Sequence, residues 1–133
     1  MIKEYPLSEY LNKFLELDNE HKNLTNIAFL SSFTINGLSE TVQVKCNEKK
    51  IYCDIYTGDY NQFNQEILNL KSKLYNFSPS LTFLILDLRS LLGDLFFFPY
   101  SYTEKEKKEL INSKLNELFE VITFFVKNSN SKL

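Results

Sequence analysis

The residues best suited to chemistry sit where three short apolar runs end. Asn26-Ile27-Ala28-Phe29-Leu30 stops at Ser31, Ser32 and Thr34; Ile51 to Tyr56 stops at Thr57-Gly58-Asp59; Leu81 to Leu86 stops at Asp87, with Arg89 two residues on. Runs of four to eight apolar residues bounded by turn formers read as strands buried on both faces. In an open parallel sheet, ligands bind beyond the carboxyl ends of the strands, where the strand order reverses. Ser31, Ser32, Thr34, Gly58, Asp59, Asp87 and Arg89 therefore mark one edge. There, hydroxyls and exposed helix-start N–H groups could hold a small anion or an acyl group. Ordinary capping and turn chemistry puts the same residue types at strand ends, so both readings stand at this stage.

Few reactions fit the inventory. A serine nucleophile needs a base and a group to orient it, and the only histidine, His21, lies between Glu20 and Lys22 in a polar stretch that reads as solvated surface. Cys46 and Cys53, seven apart, match no usual zinc spacing and read as free thiols. With three glycines in the chain there is no phosphate-cradling loop. The residues thus imply no catalytic set, no metal and no cofactor, with Ser32 as the candidate should a nucleophile exist.

The elements that must position this edge follow from periodicity. Leu7, Leu11, Phe14 and Leu15 repeat at helical spacing, predicting a leading helix within 6–20. The α/β core spans 25–100. Thr34 or Ser32 is placed to cap a helix over about 35–49. Gly58 is free to take a positive φ. Phe63, Ile67, Leu70 and Leu74 suggest a helix over 60–74 with a break near 71–73. Thr103 to Glu106 forms a capping-box pattern that opens a closing helix over 103–127. Strands alternating with helices imply parallel pairing through right-handed crossovers, with 2-1-3 as the simplest order. The prediction is one α/β domain over 1–133: a short parallel sheet in a flavodoxin-like three-layer sandwich that is incomplete, because complete doubly wound sheets usually have five or more strands. The run Leu95-Phe96-Phe97-Phe98-Pro99-Tyr100 could form a partner-binding loop, but a run this apolar is expected to fold over the edge of the core. The apolar stripe of the closing helix is expected to pack on the sheet.

Composition narrows the class further. A chain of 133 residues can bury roughly two-thirds of its unfolded surface, and 44% hydrophobic with 15% aromatic residues argues against disorder. Fifteen basic against seventeen acidic residues leave a net charge of −2, so no summed field attracts nucleic acid or an anionic membrane. No apolar run approaches the roughly 20 residues of a membrane span, and the N-terminus lacks the pattern of a secretory signal. The expectation is a cytoplasmic protein that binds neither nucleic acid nor membrane.

Three stretches in order resemble a known family. Asn26 to Thr34, Tyr56 to Leu68, and Leu74 to Pro79 look like the N-terminal SGNH-hydrolase-like domain of the FkbH-like proteins. The resemblance covers about residues 26 to 100. It adds Gln62 to the candidate ligand-binding residues through the Gly58 to Gln62 motif. In that family the domain precedes a haloacid-dehalogenase-type domain, and the whole enzyme is associated with dephosphorylating a glyceryl phosphate donor and loading the glyceryl group onto an acyl carrier protein. Its Asp-x-Asp pair and Mg²⁺ belong to the second domain and are absent from this chain. Family members place the nucleophile slot nearest Phe33, with Ser32 one residue early; the Asp-x-x-His block is missing, and Pro79-Ser80 stands where Pro-Asp is frequent. The resemblance implies an accessory, non-catalytic domain whose partners are an acyl carrier protein or a haloacid-dehalogenase-type domain. The alternatives are a small SGNH-like esterase or acyltransferase using Ser32, and a structural or interaction module.

Overall fold

The computed structural model describes residues 4–17 and 24–133. In chain order the elements are α1 (Leu7–Leu15), β1 (Thr25–Ser31), α2 (Leu38–Glu48), β2 (Cys53–Thr57), α3 (Phe63–Leu68), α4 (Lys73–Phe77), β3 (Leu81–Ile85), α5 (Leu88–Leu92), α6 (Asp94–Phe97), a 3-10 turn (Pro99–Ser101) and α7 (Glu104–Asn128). The end of the predicted leading helix lies outside the described residues.

The three strands form an open parallel sheet in the order β2-β1-β3, as the alternation of elements predicts. β1 is the central strand, and its last five residues are buried because helices cover both of its faces. The chain steps from β1 out to β2 and then back across to β3. With right-handed crossovers, that reversal puts the two connections on opposite faces. Period-two alternation divides β1 accordingly. Ala28 and Leu30 join the main core with Phe63 and Ile67 of α3, Leu74 of α4, and Val121 and Phe125 of α7. Ile27 and Phe29 take the other face, where Phe29 stacks on Phe83 at 5.2 Å between ring centroids. On this side α1 packs on α2, burying Tyr10 and Val44.

Four expectations are corrected. Neither Ser32 nor Thr34 caps α2, which begins at Leu38 after a turn closed by Leu38 N–H donating to Ile35 C=O; its N-cap is Gly37 at φ 82°. Gly58 has no positive φ; that conformation falls on Asn61, at 52°. Gly58 is there for space, since a Cβ would come within 2.7 Å of Leu30 Cδ2. The aromatic run does not fold over the core. Gly93 (φ 52°) ends α5, and the four-residue α6 turns only Leu95 inward, leaving Phe96, Phe97, Phe98 and Tyr100 exposed. Finally, the apolar stripe of α7 packs on the core only from Leu118 onward: Leu118 is partly buried and Val121 and Phe125 are buried, whereas Ile111, Leu115 and Phe119 are exposed. Length explains this, because a 25-residue helix is about 37 Å long and a five-residue strand only about 17 Å.

Other expectations hold in detail. The predicted break gives α3 and α4 as separate helices. Glu66 ties them together: its carboxylate accepts the Leu74 N–H at 3.1 Å and its carbonyl accepts the Ser72 hydroxyl at 2.8 Å. The capping box at the start of α7 is complete, with Thr103 Oγ1 accepting the Glu106 N–H and Glu106 Oε2 accepting the Thr103 N–H.

The uneven packing of α7 predicts an uneven mutational response. Phe125→Ala should cost about 3–5 kcal/mol by emptying a fully buried site. Leu115→Ala, 58% exposed, should stay within about 0.5 kcal/mol. Urea unfolding of the two variants measures the difference.

Candidate functional site

The carboxyl ends of the strands meet at Ser31 and Ser32, the last residues of the central run. Ser31 C=O accepts the Asn61 N–H from the loop after β2 at 3.1 Å, and its hydroxyl accepts the Phe33 N–H at 3.1 Å. Ser32 N–H donates to Ile85 C=O at the end of β3. Ser32 Oγ accepts the Asp87 N–H at 2.8 Å, and Ser32 C=O accepts the Ser90 hydroxyl at 3.2 Å. Two adjacent serines therefore fasten both neighbouring loops to the middle strand.

Asp87 continues the chain of contacts outward. Its carboxylate caps α5 by accepting the Arg89 N–H at 2.8 Å and pairs with the Arg89 guanidinium through Nε at 2.9 Å and through Nη2 at 2.5 Å. The hydrogen bonds from the Arg89 side chain and backbone hold the Asp87 carboxyl below the usual carboxylate range. The Arg89 side chain is 60% exposed, so the pair lies at the surface and adds little to stability.

Of the candidate residues, Ser31, Ser32, Asp87 and Arg89 thus form one connected cluster. Gly58 reaches it through its N–H, donated to Phe29 C=O at 2.8 Å, and through the close approach of Leu30. Thr34, Asp59 and Gln62 are exposed; Gln62 N–H donates to Asp59 C=O in the turn that precedes α3, and the Gln62 side chain makes no cap bond. Ser32 is fully buried, with its hydroxyl engaged as an acceptor. That is the geometry of a fastening, in contrast to a nucleophile, which must be presented to substrate. His21, the only histidine, lies outside the described residues.

Sequence reasoning missed the hollow beside this cluster. A cavity of about 280 Å³ opens between α3, α5 and α7, lined by Asn61, Asn64, Gln65, Ser90, Lys114 and Glu117. Asn61 and Ser90 belong both to the serine cluster and to this wall. Lys114 Nζ and Glu117 Oε2, one turn apart on α7, pair at 2.8 Å along one wall. Its polar lining suits a small, multiply hydrogen-bonding group. The only sequence signal was the density of amide side chains from Asn61 to Gln65, which reads equally as turn chemistry.

A second hollow, of about 400 Å³, lies at the opposite end of the sheet, beside the start of β2 and next to Cys53. Cys46 and Cys53 are free thiols. Burial first, and the neighbouring Cys46 second, push the Cys53 thiol up to about 12, so this hollow holds no thiolate near neutral pH. Burial, reinforced by the Glu66 carboxylate, likewise pushes the Tyr56 phenol up. Among the described residues no group of three His, Cys, Asp or Glu side chains could hold a metal ion, and no helix is long and apolar enough to cross a membrane.

Comparison with known proteins gives a fold and no family. No family model matches the chain, and no curated protein matches it. Among solved structures it is similar to the N-terminal part of the protein BF1531 from Bacteroides fragilis, which contains a phosphatase domain and was crystallised in complex with Mg. The TM-score is 0.74 at 16% identity, over 96% of this chain and 32% of that one. The chain therefore spans about a third of the length of the structure it matches, and at this identity the likeness is one of fold.

Two measurements follow from the site. Ser32→Ala should cost about 1–3 kcal/mol, because the Asp87 N–H loses its acceptor, and urea midpoints report it. The Cys53 thiol, raised from an unfolded value of about 8.5 to about 12, stabilises the fold fully below the unfolded value and progressively less as pH rises toward the folded one. At pH 8, iodoacetamide should therefore alkylate Cys53 at least about tenfold more slowly in the folded chain than in urea, as peptide mass mapping would show; equal rates would contradict the partly buried, neutral thiol.

Proposed function

We propose that this chain is an accessory, non-catalytic domain of the FkbH-like type, with an SGNH-like fold. It would work beside a haloacid-dehalogenase-type phosphatase domain in loading a glyceryl group onto an acyl carrier protein. The observation that carries the non-catalytic reading is the state of Ser32: its hydroxyl is fully buried and committed to the Asp87 N–H. The strand-end hydroxyls are spent on holding loops, so the edge supports a scaffold better than a hydrolase. The family context rests on the motifs at Asn26 to Thr34 and Gly58 to Gln62, and on the fold shared with part of a protein that contains a phosphatase domain.

A second reading, an interaction module, is favoured by a specific observation. Phe97 and Phe98 are 59% and 61% exposed and Tyr100 is 98% exposed. Exposed aromatics grouped in this way mark contact surfaces more often than isolated ones do. The two readings converge if the aromatic turn is where the companion domain or carrier sits. The esterase reading needs a presented Ser32 hydroxyl and draws no support from this geometry.

Mixing the chain with a haloacid-dehalogenase-type domain and an acyl carrier protein should raise glyceryl loading several-fold. Phe97→Asp should abolish that gain while leaving the thermal midpoint within about 2 °C of the parent, since the side chain is exposed. Mass spectrometry of the carrier reads the outcome. No gain in loading together with no binding to either partner would sink the proposal, and covalent labelling of Ser32 by a fluorophosphonate would return the esterase reading to first place.

A further inference from the structure

We infer that Cys46 and Cys53 form a redox modification site: a peroxide closes them into a disulfide that fastens the last turn of α2 to the first residue of β2. This goes beyond the accessory-domain reading and does not depend on it.

The observation is a backbone turn that brings one cysteine back over the other. α2 ends in a double closure, with Ile51 N–H donating to Cys46 C=O at 2.9 Å and Lys50 N–H donating to Asn47 C=O at 2.8 Å. Lys50 takes the left-handed conformation this closure requires, at φ 60°. The chain therefore reverses along the helix it has just left, and β2 starts at Cys53, in register with Thr25. From the helix side, Gln43 Nε2 donates to Cys53 C=O at 3.1 Å. Gln43 and Cys46 are three residues apart on α2 and so share a face. Cys46 is held by the turn and Cys53 by Gln43, and between these ties the Cys46 side chain hydrogen-bonds the Cys53 thiol.

Both sulfurs can be reached. Each cysteine is only half-buried, and the hollow of about 400 Å³ beside the start of β2 has Gln43, Asn47 and Cys53 in its wall. Among the described residues no third Cys, His, Asp or Glu completes a metal-binding group, so the chemistry open to this pair is oxidation.

The two thiols take different parts. Burial first, and the neighbouring Cys46 second, keep Cys53 protonated near neutral pH. A thiolate is the form that attacks a peroxide, so Cys46 is the sulfur that reacts. It attacks one peroxide oxygen, the O–O bond breaks, hydroxide leaves, and Cys46 becomes a sulfenic acid. The Cys53 sulfur then attacks the Cys46 sulfur. An S–S bond forms, the S–O bond breaks, and the Cys53 proton departs with that oxygen as water. In sum, two thiols and one hydrogen peroxide give one disulfide and two waters, and two electrons pass from sulfur to oxygen. The bond secures the start of β2, which among the described residues pairs with β1 alone, and it restricts the unfolded chain as well.

The test uses the full chain at pH 8, with hydrogen peroxide at a concentration that oxidises the same chain in urea. The intact mass should fall by about 2 Da as two hydrogens are lost, and peptide mapping should find Cys46 linked to Cys53, reversibly with dithiothreitol. The urea midpoint of the oxidised chain should rise by about 1 M. In Cys53→Ser, Cys46 should stop at the sulfenic acid and be trapped by dimedone. In Cys46→Ser, Cys53 should react at least about tenfold more slowly than Cys46 does in Cys53→Ser. The mass and midpoint arms use the unsubstituted chain and decide the matter even if a variant fails to fold. Unchanged mass in the folded chain, a disulfide between two chains, sulfinic acid on Cys46 of the unsubstituted chain, or a lowered midpoint after oxidation would each overturn the inference.

Discussion

The Asp87 N–H to Ser32 Oγ hydrogen bond, with the Ser90 hydroxyl on Ser32 C=O, is the constraint from which the functional end of the molecule is built. Among the described residues β1 is the strand flanked by a strand on each side, so whatever fixes its carboxyl end fixes the loops after β2 and β3 together. Ser31 and Ser32 do this with short side chains that offer acceptors to the partly buried N–H groups of Phe33 and Asp87, which would otherwise carry part of the cost of lost hydration. The same commitment removes those hydroxyls from the pool available to a substrate.

That trade shapes the reading of function. An edge rich in Ser, Thr, Asp and Gly looks chemically able, yet most of its capacity is internal. What is left to the outside is of two kinds. One is the polar hollow between α3, α5 and α7, whose wall is held by Asn61 and Ser90 and so inherits its rigidity from the serine cluster. The other is apolar and exposed: the aromatic turn after α6, the outward-facing Ile111, Leu115 and Phe119 of α7, and the flank of β3. Apolar surface exposed on this scale is costly in water and is characteristic of contact faces.

Much of the fold was legible from the residues. The three apolar runs, the sheet order, the break between α3 and α4 and the capping box at Thr103 each follow from a local rule that the rest of the structure does not oppose. The misreadings share a different cause. Gly58 was read as a conformational glycine because turns favour positive φ; the limiting factor is the Leu30 side chain 2.7 Å from where a Cβ would stand, and no local pattern reports a contact between residues 28 apart. Ser32 and Thr34 resemble helix caps, but β1 and β3 needed the Ser32 hydroxyl more. Polar residues at a strand end suit both roles equally until tertiary neighbours choose.

The sequence by itself determined the class of elements, their order and the parallel sense of the sheet, because hydrophobic periodicity and the handedness of crossovers act on short stretches of chain. Only the tertiary structure decided which apolar residues are core and which are surface. Leu115 and Phe125 belong to the same helical stripe, and one is exposed while the other is buried, because α7 is longer than the sheet it packs on. The same holds at the strand ends, where periodicity marked the edge as a place for chemistry. The hydrogen bonds that converge on Ser31 and Ser32 turned it into a joint, and the apolar surfaces left open are those that the described strands do not cover.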